Sequence, residues 1–266
     1  MSGRFKLSAV VLRTVDYGEA DRVVTLLSRE RGKLVAFARG ARASKRRFGG
    51  GLEPFTRVTA ELASRGGGDA MARLDSVSVE RSFHHVREDL ARIGCAAYAV
   101  ELAGELVRDH EPHAALFDLL VEYLGRLDAA PALPAELRVF ELEALVAAGL
   151  PPRLDGCARC GQEAVGGDGG AVFSPADGGL LCVRCEATAV GTTRLSGPAV
   201  AALRRFQLGG FAEAGEGIPA PVGRELRDAL GRFLEHQLGH RLQARRFLDE
   251  VASLPGEPVP PGPRRG

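Results

Sequence analysis

Residues 21–28 read Asp21-Arg22-Val23-Val24-Thr25-Leu26-Leu27-Ser28, and their spacing decides what the first third of the chain can be. Side chains two apart share a face in an extended strand, so Val23, Thr25 and Leu27 line one side and Val24, Leu26 and Ser28 the other. Both faces are partly apolar. Working outward, Leu7–Val15, Lys33–Ala38, Phe55–Ala63 and Ala70–Val79 follow the same two-residue period, clearest in Thr56, Val58, Ala60 and Leu62. Turn signals at Tyr17-Gly18, Arg31-Gly32 and Gly66-Gly67-Gly68 separate the runs. Five short strands linked in this way predict a small closed or half-open β-barrel, an OB-fold ahead of an SH3-like barrel.

After Phe83 the period changes to 3.6. Val86, Leu90, Ile93, Ala97, Val100, Leu102 and Leu106 form a helical stripe ending near Val107. Further helices are expected at His113–Leu127, Pro134–Ala148, Ser196–Leu208 and Val222–Leu238. Residues 255–266 hold five prolines and two arginines and read as a disordered tail. The expected fold class is therefore α+β and multidomain. An OB-fold barrel spans residues 1–82 and a mainly α-helical domain spans 83–254, with a four-cysteine zinc finger inserted at 154–188.

That insertion carries the strongest chemical signal. Cys157 and Cys160 form one C-x2-C pair and Cys182 and Cys185 a second, with 21 residues between the pairs. Each pair lets one turn present two sulfurs to one ion, and four sulfurs fill the tetrahedral shell that Zn²⁺ prefers. With no open coordination position the single zinc is expected to be structural. Disulfides are the competing reading, but nothing in the sequence indicates an oxidising compartment. A thioredoxin-like pair needs no matching second pair. Residues 162–181 are rich in Gly and Asp, so metal binding is expected to supply their folding free energy. The fifth cysteine, Cys95, falls in a helical apolar stripe and reads as a small core residue.

Thirty-five basic and 34 acidic residues give the 266-residue chain a net charge of only +1. Residues 1–57 nevertheless hold 13 basic and five acidic side chains, a balance of +8, which leaves −7 for the remainder. This segregation suggests a polyanion-binding portion joined to something else. Arg39, Arg42, Lys45, Arg46 and Arg47 crowd into a polar, glycine-rich connection between the third and fourth strands, read as a flexible basic loop. In the bland reading it is a solvated loop in a chain that uses Arg for nearly every base. In the functional one the loop follows a phosphate backbone with little sequence preference, and an aromatic beside the cations stacks on unpaired bases. Phe37 and Phe55 lie on expected strands and are assigned to the barrel interior, leaving Phe48 as the stacking candidate.

Composition and motifs exclude much else. Hydrophobic residues at 45% and charged residues at 26% are ordinary for a globular chain. Apolar stretches such as Cys95–Val100 and Leu145–Leu150 fall far short of the ~20 residues of a bilayer span, and the N-terminus has no secretory pattern. A cytoplasmic location is expected, with no membrane partner. The glycine runs lack the Lys-Ser/Thr of a phosphate-binding loop, and no nucleophile elbow or dinucleotide fingerprint occurs. His236 and His240 are four apart, but Gln237 stands where a zinc protease has Glu. No catalytic residue, small-molecule substrate or enzymatic activity is expected.

The run Ala9-Val10-Val11-Leu12-Arg13-Thr14-Val15-Asp16-Tyr17-Gly18-Glu19-Ala20-Asp21 resembles the start of the bacterial RecO recombination-mediator and DNA-repair family. Thr25-Leu26-Leu27-Ser28, Gly32-Lys33-Leu34, Ala38-Arg39-Gly40-Ala41-Arg42, Leu52-Glu53-Pro54-Phe55 and the segment from Cys160-Gly161 through Phe173 to Gly178-Gly179-Leu180-Leu181-Cys182 extend the resemblance over about residues 5–250. It implies an OB-fold DNA-binding domain, a helical C-terminal domain and an embedded zinc finger. It further implies a non-enzymatic, nucleoid-associated protein that binds single- and double-stranded DNA, anneals complementary strands, and works with RecR and single-strand-binding protein to load RecA. The DNA-contacting residues it supports are Arg39, Arg42, Lys45, Arg46 and Arg47. The alternative is a zinc-stabilised protein–protein adaptor without direct DNA contact.

Overall fold

The two-residue pattern produces five strands: β1 (Gly3–Tyr17), β2 (Asp21–Ser28), β3 (Gly32–Ala38), β4 (Arg57–Ser64) and β5 (Ala72–Arg81). The computed structural model describes residues 3–64, 71–164, 166, 168–215 and 217–253. The expected turn at Gly66–Gly68 and the expected tail at 255–266 lie outside them. The strands run in the order β1-β2-β3-β5-β4, and β1 also pairs with β4, so the sheet closes on itself. All of these pairings are antiparallel except β3 with β5, which is parallel.

Leucines, valines and alanines together fill the bore of this sheet. Ala9, Ala36, Ala38 and Ala60 are fully buried there beside Val11, Val24, Leu26, Val58 and Leu62. A bulge at Leu12, where Val11 pairs with Leu26 but Arg13 with Thr25, shifts the alternation of β1. Val10, Leu12 and Leu27 point outward, opposite to Ala9, Val11 and Leu26, and join the core of the helices. Burying each of them is worth about 1.5–3 kcal/mol.

Three aromatic assignments change as a result. Phe37 alternates with Ala36 and Ala38, which occupy the bore, so it sits half-exposed on the outer surface. Phe48 is 3% exposed: a short helical turn, α1 (Lys45–Phe48), drops it into the barrel core with Ala41 and Leu52. The stacking role expected for Phe48 is thereby overturned, because its ring faces protein. Phe55 precedes β4 and packs against the helical core rather than in the bore. The Arg39–Arg47 connection is also no featureless loop, since it is folded around α1.

Four helices follow the expected pattern closely: α2 (Leu90–Leu106), α3 (Ala114–Ala129), α4 (Pro134–Ala147) and, after the cysteine-bearing insertion, α6 (Gly197–Gly209). Asp89 caps α2 by accepting the Arg92 N–H at 2.8 Å, and Ser196 caps α6 through the Ala199 N–H. Pro134 starts α4, where a missing N–H costs nothing. The insertion holds a short helix, α5 (Val183–Glu186), and a three-stranded sheet of β6 (Ala171–Ser174), β7 (Gly179–Leu181) and β8 (Thr193–Leu195), ordered β7-β6-β8. This sheet runs past residue 188, the end expected for the zinc finger. α7 (Ala220–Leu238) and α8 (Gln243–Ser253) complete the described chain. α8 was not expected; Glu101 on α2 accepts the Gln243 and Ala244 N–H groups, each at 2.7 Å, and fixes its start.

One core unites the helices with the insertion. Phe173 of β6 meets Phe233 of α7 edge to face, with centroids 5.6 Å apart, and Leu180 and Leu181 are buried in the same cluster. At its centre Glu141, fully buried, accepts the Tyr98 hydroxyl at 2.7 Å and is flanked by Arg138 at 3.0 Å and Arg245 at 4.0 Å.

Candidate nucleic-acid interface and metal centre

The connection from β3 to β4 is held against the β1–β2 turn. The Gly40 N–H donates to Asp21 at 2.7 Å, the Arg42 N–H to the Ala20 carbonyl at 3.0 Å, and the Arg42 guanidinium to the Glu19 carbonyl at 3.1 Å. Arg39, Arg42, Lys45, Arg46 and Arg47 are all exposed on this end of the barrel. Their engagements differ. Arg47 donates to the Arg39 carbonyl at 2.8 Å and to Ser44 at 3.1 Å, and lies 4.9 Å over the Phe48 ring, so it braces the connection. Arg42 reaches Asp16 only at 3.9 Å. Arg39, Lys45 and Arg46 form no ion pair among the described residues.

Aromatic surface lies beside these charges, but it comes from residues that the sequence reading passed over. Tyr17, at the end of β1, is 61% exposed, and its ring stands at 81° to that of Phe37 with centroids 5.6 Å apart. Val15 pairs with Val23 and Val23 with Phe37, so one apolar row crosses three strands on the outer face. The signal for Phe37 was available: it shares its face with Lys33, which has no place in a barrel core. A cleft of about 630 Å³ continues along this face, with Arg13 and Lys33 on the barrel side and Glu101, Glu105 and Asp109 on the helical side.

The four knuckle cysteines come together as the spacing predicts. Their sulfurs all lie within 4.8 Å of one another, with Cys160 and Cys182 3.6 Å apart. Ligands about 2.3 Å from a tetrahedral centre stand about 3.8 Å from each other, so the cluster has the dimensions to hold a metal ion. None of the five cysteines is in a disulfide, and Cys95 is buried in the helical core.

Local backbone explains the convergence. The first knuckle closes through Cys157 N–H to the Gln162 carbonyl at 2.7 Å and Gly161 N–H to the Cys157 carbonyl at 2.8 Å, with Gly161 in the left-handed region at φ +75°. Gly179 lets the two halves approach, since a Cβ there would sit 2.2 Å from the Arg153 carbonyl oxygen. Arg159 ties the knuckles together. It pairs with Asp177 at 2.6 Å and donates to the Cys185 carbonyl at 3.0 Å and to Thr188 at 2.7 Å. That guanidinium holds the Asp177 carboxyl below its usual range. Burial raises the Cys157 thiol, but the backbone N–H groups of Cys160, Cys182 and Arg159 outweigh it and hold it down at about 6. Burial together with the sulfurs of Cys182, Cys160 and Cys157 pushes Cys185 up to about 12. Neighbouring thiolates repel one another, and a bound cation is what would let all four ionise.

A second group, His84, His85 and Asp128, also lies within ligating distance. Its two histidines are exposed, and Asp128 is already taken by Arg81 at 3.3 Å and by the His85 N–H at 3.1 Å. His240 contacts Glu105 at 3.3 Å and stays apart from both groups. No helix among the described residues is long and apolar enough to cross a membrane.

Comparison with known proteins covers both parts of the chain. Residues 1–83 match the family described as recombination protein O N terminal, and residues 87–246 the one described as recombination protein O C terminal. A protein named DNA repair protein RecO from Anaeromyxobacter dehalogenans (strain 2CP-C) is 62% identical over 95% of this chain and 99% of its own. Proteins of that name from Myxococcus xanthus and Symbiobacterium thermophilum are 46% and 35% identical, over 93% and 94% of this chain and 98% of each of theirs. Matched in order along both segments and to relatives over nearly their full length, the chain belongs to the RecO family.

Proposed function

We propose that this protein is a non-enzymatic mediator of DNA repair and recombination. In this reading it binds single- and double-stranded DNA, anneals complementary strands, and acts with RecR and single-strand-binding protein to help load RecA. The observation that carries it, within a chain of this family, is the group Arg39, Arg42, Lys45 and Arg46, exposed together at one end of the closed sheet and largely free of protein partners. Cations on such a surface release the counterions condensed on nucleic acid and bind it without reading its sequence. Two strands held by their phosphates repel each other less, and their base edges stay free to pair. We further read residues 1–82 as an OB-fold, residues 83–254 as the helical domain, and the cysteine-bearing insertion as a structural finger with one zinc on Cys157, Cys160, Cys182 and Cys185. All four ligands come from the protein, so the ion would hold the fold rather than activate water.

Replacing Arg39, Arg42, Lys45 and Arg46 together by Ala tests the interface. Salt titrations of single-strand binding should show affinity falling and the slope of log K against log salt flattening by roughly 0.7 for each lost phosphate contact, with an unchanged fold. Unaltered affinity and slope would remove the assignment. The adaptor alternative retains one observation, namely that Val183, Val190 and Leu208 stand 70–89% exposed around the insertion and α6. A wild-type protein that leaves oligonucleotides unshifted at near-physiological salt would favour it.

A further inference from the structure

We propose that Tyr17 and Phe37, with Val15 and Val23 beside them, form a platform on which unpaired bases of single-stranded DNA stack while the neighbouring cations hold the phosphates. The proposal rests on the DNA-binding reading above and specifies where the bases go.

The first argument is placement. Nothing in the helical core covers this part of the outer face, although the same face is covered farther along β1 and β2, where Val10, Leu12 and Leu27 enter that core. Tyr17 at 61% exposure and Val15 at 43% are left in water, a costly arrangement for side chains that no fold requirement puts there. The two rings meet at 81°, a corner in which one can present a π-face while the other walls it. Stacking uses base faces, which all four bases possess, and leaves the pairing edges free.

The second argument is charge. Arg39 lies two residues beyond Phe37, just past the end of β3, with Gly40 and Arg42 tied to the turn that carries Tyr17. Arg13 is exposed two residues before Val15 on that face, and Arg73 is the register partner of Phe37. The nearby acids are paired in part: Asp16 with Arg22 at 2.9 Å and Arg42 at 3.9 Å, Glu53 with that same Arg22 at 3.6 Å, and Asp75 with Arg73 at 2.7 Å and Arg4 at 3.7 Å. A polyanion with aromatic bases complements such a face, whereas an apolar protein segment would have to desolvate the ring of cations.

The chain supplies its own probe. It has no tryptophan and three tyrosines, of which Tyr98 and Tyr123 are buried in the helical core. Tyr17 alone among them is open to solvent, so intrinsic tyrosine fluorescence reports stacking at this site. Oligo-dT and an abasic deoxyribose-phosphate chain of equal length should be titrated into the full-length protein. Oligo-dT should quench the fluorescence and bind roughly tenfold or more tighter than the abasic chain. The double variant Tyr17→Ser/Phe37→Ser should lose that preference while binding the abasic chain as the wild type does. Both positions are outside the cores, and circular dichroism with thermal unfolding would check that the variant folds. Equal affinities for the two chains with no quenching would overturn the platform while leaving phosphate binding in place, and would assign the face to a protein occupant. A wild type that binds neither chain would overturn the DNA-binding reading, and the platform with it.

Discussion

The two parts of this chain use the same residue in opposite ways. In the helical part arginines meet carboxylates inside the fold: Arg138 and Arg245 flank the buried Glu141 and Arg126 holds the buried Glu136 at 2.5 Å, while Arg159 locks the cysteine knuckles from the surface. At the basic end of the barrel, Arg39, Lys45 and Arg46 extend into solvent without ion pairs among the described residues. Net charge near zero conceals the contrast, which is one of burial as much as of number. A buried guanidinium without its partner is strongly destabilising, while an exposed one costs little and remains available. Stability and binding should therefore respond to different sets of cations, and each variant below tests that separation.

The largest effect is expected at the metal centre. Cys157→Ser removes a fully buried sulfur of the proposed zinc site. Structural zinc in such knuckles is worth about 10–16 kcal/mol of apparent binding free energy, nearly all of it spent on folding. Native mass spectrometry should find one zinc in the wild type and none in the variant, and limited proteolysis should cut within 157–195. Because Phe173, Leu180 and Leu181 belong to the helical core, thermal unfolding should drop as well. Cys95→Ser should keep the metal. A Cys157→Ser protein with its zinc and melting temperature intact would end the structural reading.

Glu141→Gln comes next. It keeps the shape but leaves Arg138 and Arg245 buried beside a neutral group, and losing one member of a buried ion cluster costs about 3–5 kcal/mol. The urea midpoint should fall accordingly, with the salt dependence of DNA binding unchanged. Arg47→Ala sharpens the boundary inside the basic group itself. Its bonds to the Arg39 carbonyl and Ser44 order the connection, so it should cost about 1 kcal/mol of stability. Arg46→Ala should cost essentially none and lower only affinity. Equal effects of the two on stability would show that the brace does not act.

These distinctions were only partly legible in the sequence. Residues 21–28 mark β2 at both ends, and Pro134 marks the start of α4, because turn glycines and a helix-starting proline act locally. The knuckle was legible for the same reason: two cysteines with two residues between them on a turn fix where the sulfurs can go. What failed was the side of the strand on which Phe37 lies and the fate of Phe48. Hydrophobicity sends large residues inward, but side chains alternate along a strand, and β3 turns Leu34, Ala36 and Ala38 into the bore, which leaves Phe37 on the outer face with Lys33 and Val35. The bulge at Leu12 likewise reverses a periodicity that sequence continues unbroken. β6 to β8 escaped notice because strands of three or four residues carry too little pattern to register, and α8 because its docking depends on Glu101, more than 140 residues away.

The smallest predicted effect concerns the joint that precedes α8. His240 faces the Arg241 carbonyl at 3.4 Å and the Glu105 carboxylate at 3.3 Å, and these two, the backbone contact first, raise its pKa above the usual histidine value. A raised folded-state pKa means that the protonated ring favours the folded form. The contribution is fully present below the unfolded value of about 6.5 and is lost as pH rises through the higher folded value. Amide exchange in Gln243–Ser253 should accordingly be slower, relative to intrinsic rates, at pH 6 than at pH 8.5, and His240→Gln should flatten the difference. The change should be slight, because both partners are exposed and screened, and because Glu101 holds the first two amides of α8 independently. DNA affinity should not follow this titration. If it did, the two sets of cations would be coupled through the helices, and the division between stabilising and binding charges would not hold.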